Sequence, residues 1–301
     1  MSGRLRWEAH RTSWPNASFS RFVHAGGVRW HLQQADSPAP GAVVLVHGTG
    51  ASSHSWHKLL PLLHPRATVI APDLPGHGFS SPPTEADGMS MHGMAKALAT
   101  LLHTLDIDAQ APLVLVGHSA GAAVLMRACL DSYLAATVPL ISLAGALLPF
   151  PGIAGQLLTP MAQGMARLGL VGELFAWHVR TDRQVVRELL RQTGSTIDER
   201  SADCYRVLAG NAEHVQSAMD MMAAWELAGL ANDLPRLRNP SLLVAAARDG
   251  AVPPRQAQEA GERIPRAQVL TLEGLGHLAH EEAPERIVPL IDEALERLIL
   301  G

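Results

Sequence analysis

Ser119 has the surroundings that an activated hydroxyl needs. The short apolar run 113–116 passes into Gly117-His118-Ser119-Ala120-Gly121 and then into a small-residue stretch that ends at Ala128. This reads as a buried strand, a sharp turn and a helix. A side chain at 117 or 121 would collide with neighbouring backbone in such a turn, and glycine avoids the collision. The turn lifts the Ser119 hydroxyl out of the sheet and sets it at the positive end of the helix, which is the nucleophile-elbow pattern. The chemistry in view is acyl transfer, in which a serine oxygen attacks a carbonyl carbon.

A serine hydroxyl is a weak nucleophile until a base takes its proton, and that base must be held in one orientation. Asp249 and His277 are the candidates. Asp249 follows the strand-like run 241–247, and His277 follows the run 268–272 through Gly274 and Gly276. Parallel sheets place working loops at the carboxyl ends of their strands, and both residues stand there. Taken alone, Asp249 also fits as the cap of a turn with Gly250, and His280 competes with His277 for the role of base. Charge developing on the carbonyl oxygen needs N–H donors. The N–H of Ala120, at the helix start, is one. The loop His47-Gly48-Thr49-Gly50 offers the other, with Thr49 first and Gly50 second; Gly50 is also a candidate for substrate contact. His47 is expected to hydrogen-bond within its loop, and Asp73 to brace its Gly-rich turn. His118 is expected to support the elbow and is a candidate substrate contact beside the serine. His54 with His57 and His277 with His280 have helical spacing, but no third ligand follows, so neither a metal nor another cofactor is expected.

The elements that must position these groups follow in order. Two short strands lie around Ala25-Gly26-Gly27. The apolar run 42–46 reads as a central strand, and 68–71 as another, ending in Asp73-Leu74-Pro75-Gly76-His77-Gly78. Residues 89–105 have helical periodicity, 137–143 is the next strand, and 284–300 is a closing amphipathic helix. Strands alternating with helices imply a mainly parallel twisted sheet with helices on both faces. The alternation breaks after the sixth strand. Residues 1–149 are therefore expected to form the first part of a core, 150–235 a helical lid, and 236–301 the second part of the core.

Composition narrows the setting. The chain has 301 residues, 47% of them hydrophobic, and a net charge of −4, so no nucleic-acid partner is expected. Its two cysteines, Cys129 and Cys204, form no framework, which suits a reducing compartment and a cytoplasmic location. No apolar leader precedes the strands, and residues 1–22 read as a loosely held surface arm. Residues 132–166 carry no charged side chain, but four prolines interrupt them, so they read as a buried strand running into an apolar lid. The lid is rich in methionine and aromatic residues. Met161, Met165, Trp177, Met222 and Trp225 are candidates to line a soft wall around a large apolar ligand, and peripheral contact with a membrane is compatible with so apolar a lid.

Four motifs in sequence carry a family resemblance: His47-Gly48-Thr49-Gly50, Asp73-Leu74-Pro75-Gly76-His77-Gly78, Gly117-His118-Ser119-Ala120-Gly121 and Gly276-His277. With them, the chain from about residue 20 onward resembles the α/β-hydrolase superfamily, which implies an α/β-hydrolase fold and a triad of Ser119, Asp249 and His277. The stretches His47 to Trp56, Gly117 to Ala123, Leu143 to Gly152 and Gly274 to Glu282 also resemble the magnesium-chelatase accessory proteins of bacteriochlorophyll biosynthesis. That second resemblance implies a role near insertion of magnesium into protoporphyrin IX, with a tetrapyrrole as ligand and chelatase subunits as partners. It supplies no reaction, since chelation needs no serine nucleophile.

Overall fold

The computed structural model describes residues 3–107, 112–150 and 170–300. Its centre is an eight-stranded sheet: β1 (Ser20–Ala25), β2 (Val28–Ala35), β3 (Ala42–Val46), β4 (Thr68–Pro72), β5 (Leu113–His118), β6 (Leu140–Leu143), β7 (Ser241–Ala246) and β8 (Ala267–Leu272), in the spatial order 1-2-4-3-5-6-7-8. β1 pairs antiparallel with β2, and β2 antiparallel with β4; every later pairing is parallel.

The central strands are buried on both faces, so their apolar residues divide by alternation. On β3, Val44 and Val46 join the core on one side, with α3 (Met91–Thr104) and α4 (Ala120–Leu130). Val43 and Leu45 join the core on the other side, with α2 (Leu59–Leu63) and the closing helix Pro284–Leu300. The register of β5 against β3 sets Leu115 opposite Val44 and Gly117 opposite Val46, which brings the elbow beside the loop that leaves β3.

Between β6 and β7 the described chain is helical: α5 (Leu170–Thr181), α6 (Gln184–Gln192), α7 (Glu199–Ala209), α8 (Ala212–Ala223) and α9 (Leu227–Asp233). This is the insertion expected after the sixth strand. Residues 151–169, with the candidate ligand residues Met161 and Met165, lie outside the described residues. The remaining helices are α10 (Arg255–Gly261), α11 (Ala279–Glu282) and α12 (Pro284–Leu300).

The N-terminal arm is a correction to the expectation. It is anchored, not loose. A short helix, α1 (Trp7–His10), leads into Trp14, which is buried with Phe79, Cys204 and Leu208, so the arm bridges core and insertion. Asn211, at the start of α8, donates to the carbonyl of Gly3 at 3.0 Å. Two tryptophans in the arm supply enough apolar surface to hold it down.

Candidate active site

The elbow has the geometry that its glycines dictate. Ser119 sits between β5 and α4 with φ 51° and ψ −117°, a backbone conformation that L-residues rarely adopt. A Cβ at Gly121 would lie 2.2 Å from the carbonyl oxygen of Val46, and one at Gly117 would lie 2.5 Å from Ala122. The helix therefore starts as close to β3 and β5 as backbone can pack, and the serine turns outward. Gly48 closes on it from the side: a Cβ there would meet the Ser119 Cβ at 3.0 Å. Ala120 is the first residue of α4, where an N–H has no partner within its own helix.

Asp249 and His277 come together from the ends of β7 and β8. His277 Nδ1–H donates to Asp249 Oδ2 at 2.8 Å, and the Asp249 side chain is 1% exposed. The other carboxylate oxygen, Oδ1, accepts from the N–H groups of Ala251 and Val252, both at 2.8 Å. Asp249 thus does both things considered for it: it caps its own turn with one oxygen and orients His277 with the other. His280 does not compete. It is fully buried, packed against Trp56 and His118, and burial pushes its imidazole down to about 3. The Ser119 hydroxyl makes no hydrogen bond to His277 in this structure; such contacts are often long before substrate arrives.

The histidines around the site are neutral by construction. His47 Nδ1–H donates to the carbonyl of Gly48 at 2.7 Å while Nε2 accepts from Leu74 N–H at 2.8 Å. His214, from α8, accepts from Gly78 N–H at 3.1 Å and donates to the carbonyl of Gly50 at 3.1 Å. A ring that accepts a hydrogen bond has no room for a second proton. Burial holds His47 below the usual histidine range and pushes His214 down to about 4. Asp73 braces its turn as expected: it accepts from Ser53 N–H at 2.7 Å, Phe79 N–H at 2.9 Å and His31 Nδ1–H at 2.8 Å. Its carboxyl is held well below the usual range although burial opposes this, because His31 lies against it.

Three of the candidate ligand contacts have surroundings of their own. His118 is buried, and its Nε2–H donates to the carbonyl of His277 at 3.0 Å, so it braces the histidine loop as well as the elbow. Trp177 is 57% exposed, because α5 turns Ala176 and Val179 inward and Trp177 to the opposite face. Met222 is 46% exposed on α8, and its neighbour Met221 is the buried one. Met221 meets the loop before the elbow: Thr49 Oγ1–H donates to its sulfur at 3.4 Å. Trp225 is half-buried and packed against the main core. Gly50 has open space where a side chain would stand. Sequence reasoning missed His214 and selected Met222 over Met221; a helix wheel through Ala218 and Met221 would have found the buried face. Among the described residues, no group of three or more His, Cys, Asp or Glu side chains could hold a metal ion.

With this geometry in view, the comparisons with known proteins are decisive on family. The profile of the Alpha/beta hydrolase family matches residues 43–290. The chain belongs to that family. It is 36% identical over 286 residues to the magnesium-chelatase 30 kDa subunit of Rhodobacter capsulatus, a match that covers 94% of this chain and 97% of that protein. It is 29% identical over 266 residues to pyrrolizixenacetamide deacetylase of Xenorhabdus hominickii, covering 85% and 91%. Among solved structures it resembles an esterase from Thermogutta terrifontis, with a TM-score of 0.71 and 24% identity over 92% of this chain and 99% of the other. At this identity the likeness concerns the family fold alone.

Proposed function

We propose that this chain is a serine hydrolase of carboxylic esters, and that its substrate is a large apolar ester of the tetrapyrrole class. The observation that carries the hydrolase reading is the Asp249–His277 hydrogen bond at 2.8 Å beside a serine held at positive φ on an elbow. Ser119 Oγ would attack the ester carbonyl while His277 Nε2 takes its proton, and Asp249 would hold the ring and stabilise the imidazolium. The N–H groups of Ala120 and Thr49 would meet the oxyanion. Collapse of that intermediate expels the alcohol with the proton from His277, and water then releases the acid from Ser119 by the same steps.

The tetrapyrrole class rests on the relative named as a magnesium-chelatase subunit, which matches almost end to end. A chelatase partner follows from the same relative. A second reading is a porphyrin-binding accessory in which Ser119 does no chemistry; the near end-to-end match to a protein named as a chelatase subunit favours it. The test is hydrolysis of a porphyrin methyl ester against short p-nitrophenyl esters, with Ser119→Ala as control. The expected result is Ser119-dependent release of porphyrin carboxylic acid. A Soret shift on adding protoporphyrin IX that is unchanged in Ser119→Ala, with no turnover of either ester, would replace this reading with the accessory one.

A further inference from the structure

The insertion between β6 and β7 reaches into the histidine loop itself. Residues 193–196 link α6 to α7 and run between the loop that carries Asp249 and the loop that carries His277. We propose that this segment, with Glu282, is the positioning element of the Asp249–His277 pair. The proposal rests on the hydrolase reading for its meaning, but its geometry does not depend on it.

One carbonyl serves both loops. Thr193 O accepts from Gly250 N–H at 3.0 Å and from His277 N–H at 3.1 Å. Ser195 Oγ accepts from Leu278 N–H at 2.8 Å. Glu282 closes the frame: one carboxylate oxygen accepts from Gly276 N–H at 2.8 Å and the other from Thr196 N–H at 3.0 Å. Between these bonds the chain passes at Gly194, whose φ is +78°. A Cβ there would lie 1.8 Å from the carbonyl oxygen of Arg248, and one at Gly276 would lie 2.3 Å from Gly194 itself. The segment therefore passes between the two loops as bare backbone. On the far side His118 Nε2–H holds the His277 carbonyl. His277 is thus gripped at its N–H by the insertion and at its C=O by the elbow, while its ring is held by Asp249.

Moving residues 193–196 moves both members of the pair. A covering of helices that only shaped a substrate pocket would have no reason to share a carbonyl between them.

The test uses the full chain with ¹⁵N-labelled histidine. Asp249 holds His277 in the Nδ1–H tautomer, and the ring nitrogens report how firmly. The His277 signals are assigned by their loss in His277→Gln. Ser195→Ala and Glu282→Gln are expected to move them toward a mixture of tautomers while thermal unfolding remains cooperative. Ser195→Thr, which keeps the acceptor, restores them. With a hydrolysed ester in hand, Ser195→Ala lowers kcat roughly 10- to 100-fold and changes KM little. His277 ring signals that coincide with wild type in both variants would overturn the proposal, whatever the activity does. Absence of ester turnover in wild type would sink the hydrolase reading and leave the ring signals to decide this one.

Discussion

Ser119 was legible because its neighbours have no side chains to spare. Gly117 and Gly121 are required by backbone at 2.5 Å and 2.2 Å, so the motif records a steric fact as well as a chemical one. The prediction at this scale follows directly. Gly121→Ala drives a methyl into the Val46 carbonyl and destabilises the fold by roughly 3 kcal/mol or more, seen as a lower urea midpoint. Asp249→Asn preserves shape but removes the acceptor that fixes the His277 tautomer. Any Ser119-dependent ester turnover should then fall about 10⁴-fold, measured as kcat. The substrate contacts were less legible. Met221 and Met222 are chemically identical, and only the buried face of α8 separates the one beside Thr49 from the one in solvent. His118 looked like a pocket residue because it adjoins the serine, yet successive residues of a strand end point to opposite sides.

At the scale of elements, the strands were read closely because fully buried parallel strands are short apolar runs, as in Ala42–Val46. The insertion was read only as helical. Its hold on the histidine loop runs through the Thr193 carbonyl, the Thr196 N–H and the side chains of Ser195 and Glu282, and backbone groups and single polar residues leave no mark in composition. A second contact between insertion and core holds a buried titratable group. Tyr205 on α7 donates to Glu281 Oε1 on α11 at 2.7 Å; the Glu281 side chain is fully buried and Tyr205 is half-buried. Desolvation pushes the Glu281 carboxyl up to about 8 from an ordinary 4.5. The folded chain therefore keeps a proton that the unfolded chain releases above about pH 4.5, and rising pH toward 8 favours unfolding. Glu281→Gln removes this loss. Its stability relative to wild type should climb across that window, with a limiting slope of about 1.4 kcal/mol per pH unit, read from denaturant midpoints.

For the whole molecule, the unusual feature is the number of buried imidazoles. His47, His54, His77, His118, His214 and His280 are all buried and all held below the ordinary histidine value of 6.5, first by desolvation. The unfolded chain binds protons there that the folded chain refuses, so stability present above about pH 6.5 is lost as pH falls toward 4. Glu281 acts in the opposite direction between 4.5 and 6.5, but one carboxyl faces six rings. The thermal midpoint should therefore fall steeply between pH 7 and pH 5, and His214→Gln should soften the fall. Composition gave the fifteen histidines, but burial is a property of the fold, and no local pattern marked which would be enclosed. No helix among the described residues is long and apolar enough to cross a membrane.

The most direct test of the central claim is labelling of the folded protein with a fluorophosphonate, followed by mass spectrometry of the peptides. The account predicts a single adduct on Ser119, absent in Ser119→Ala and formed far more slowly in Asp249→Asn. No adduct on Ser119 in the folded chain, or one that forms at the same rate without the Asp249 carboxylate, would contradict it.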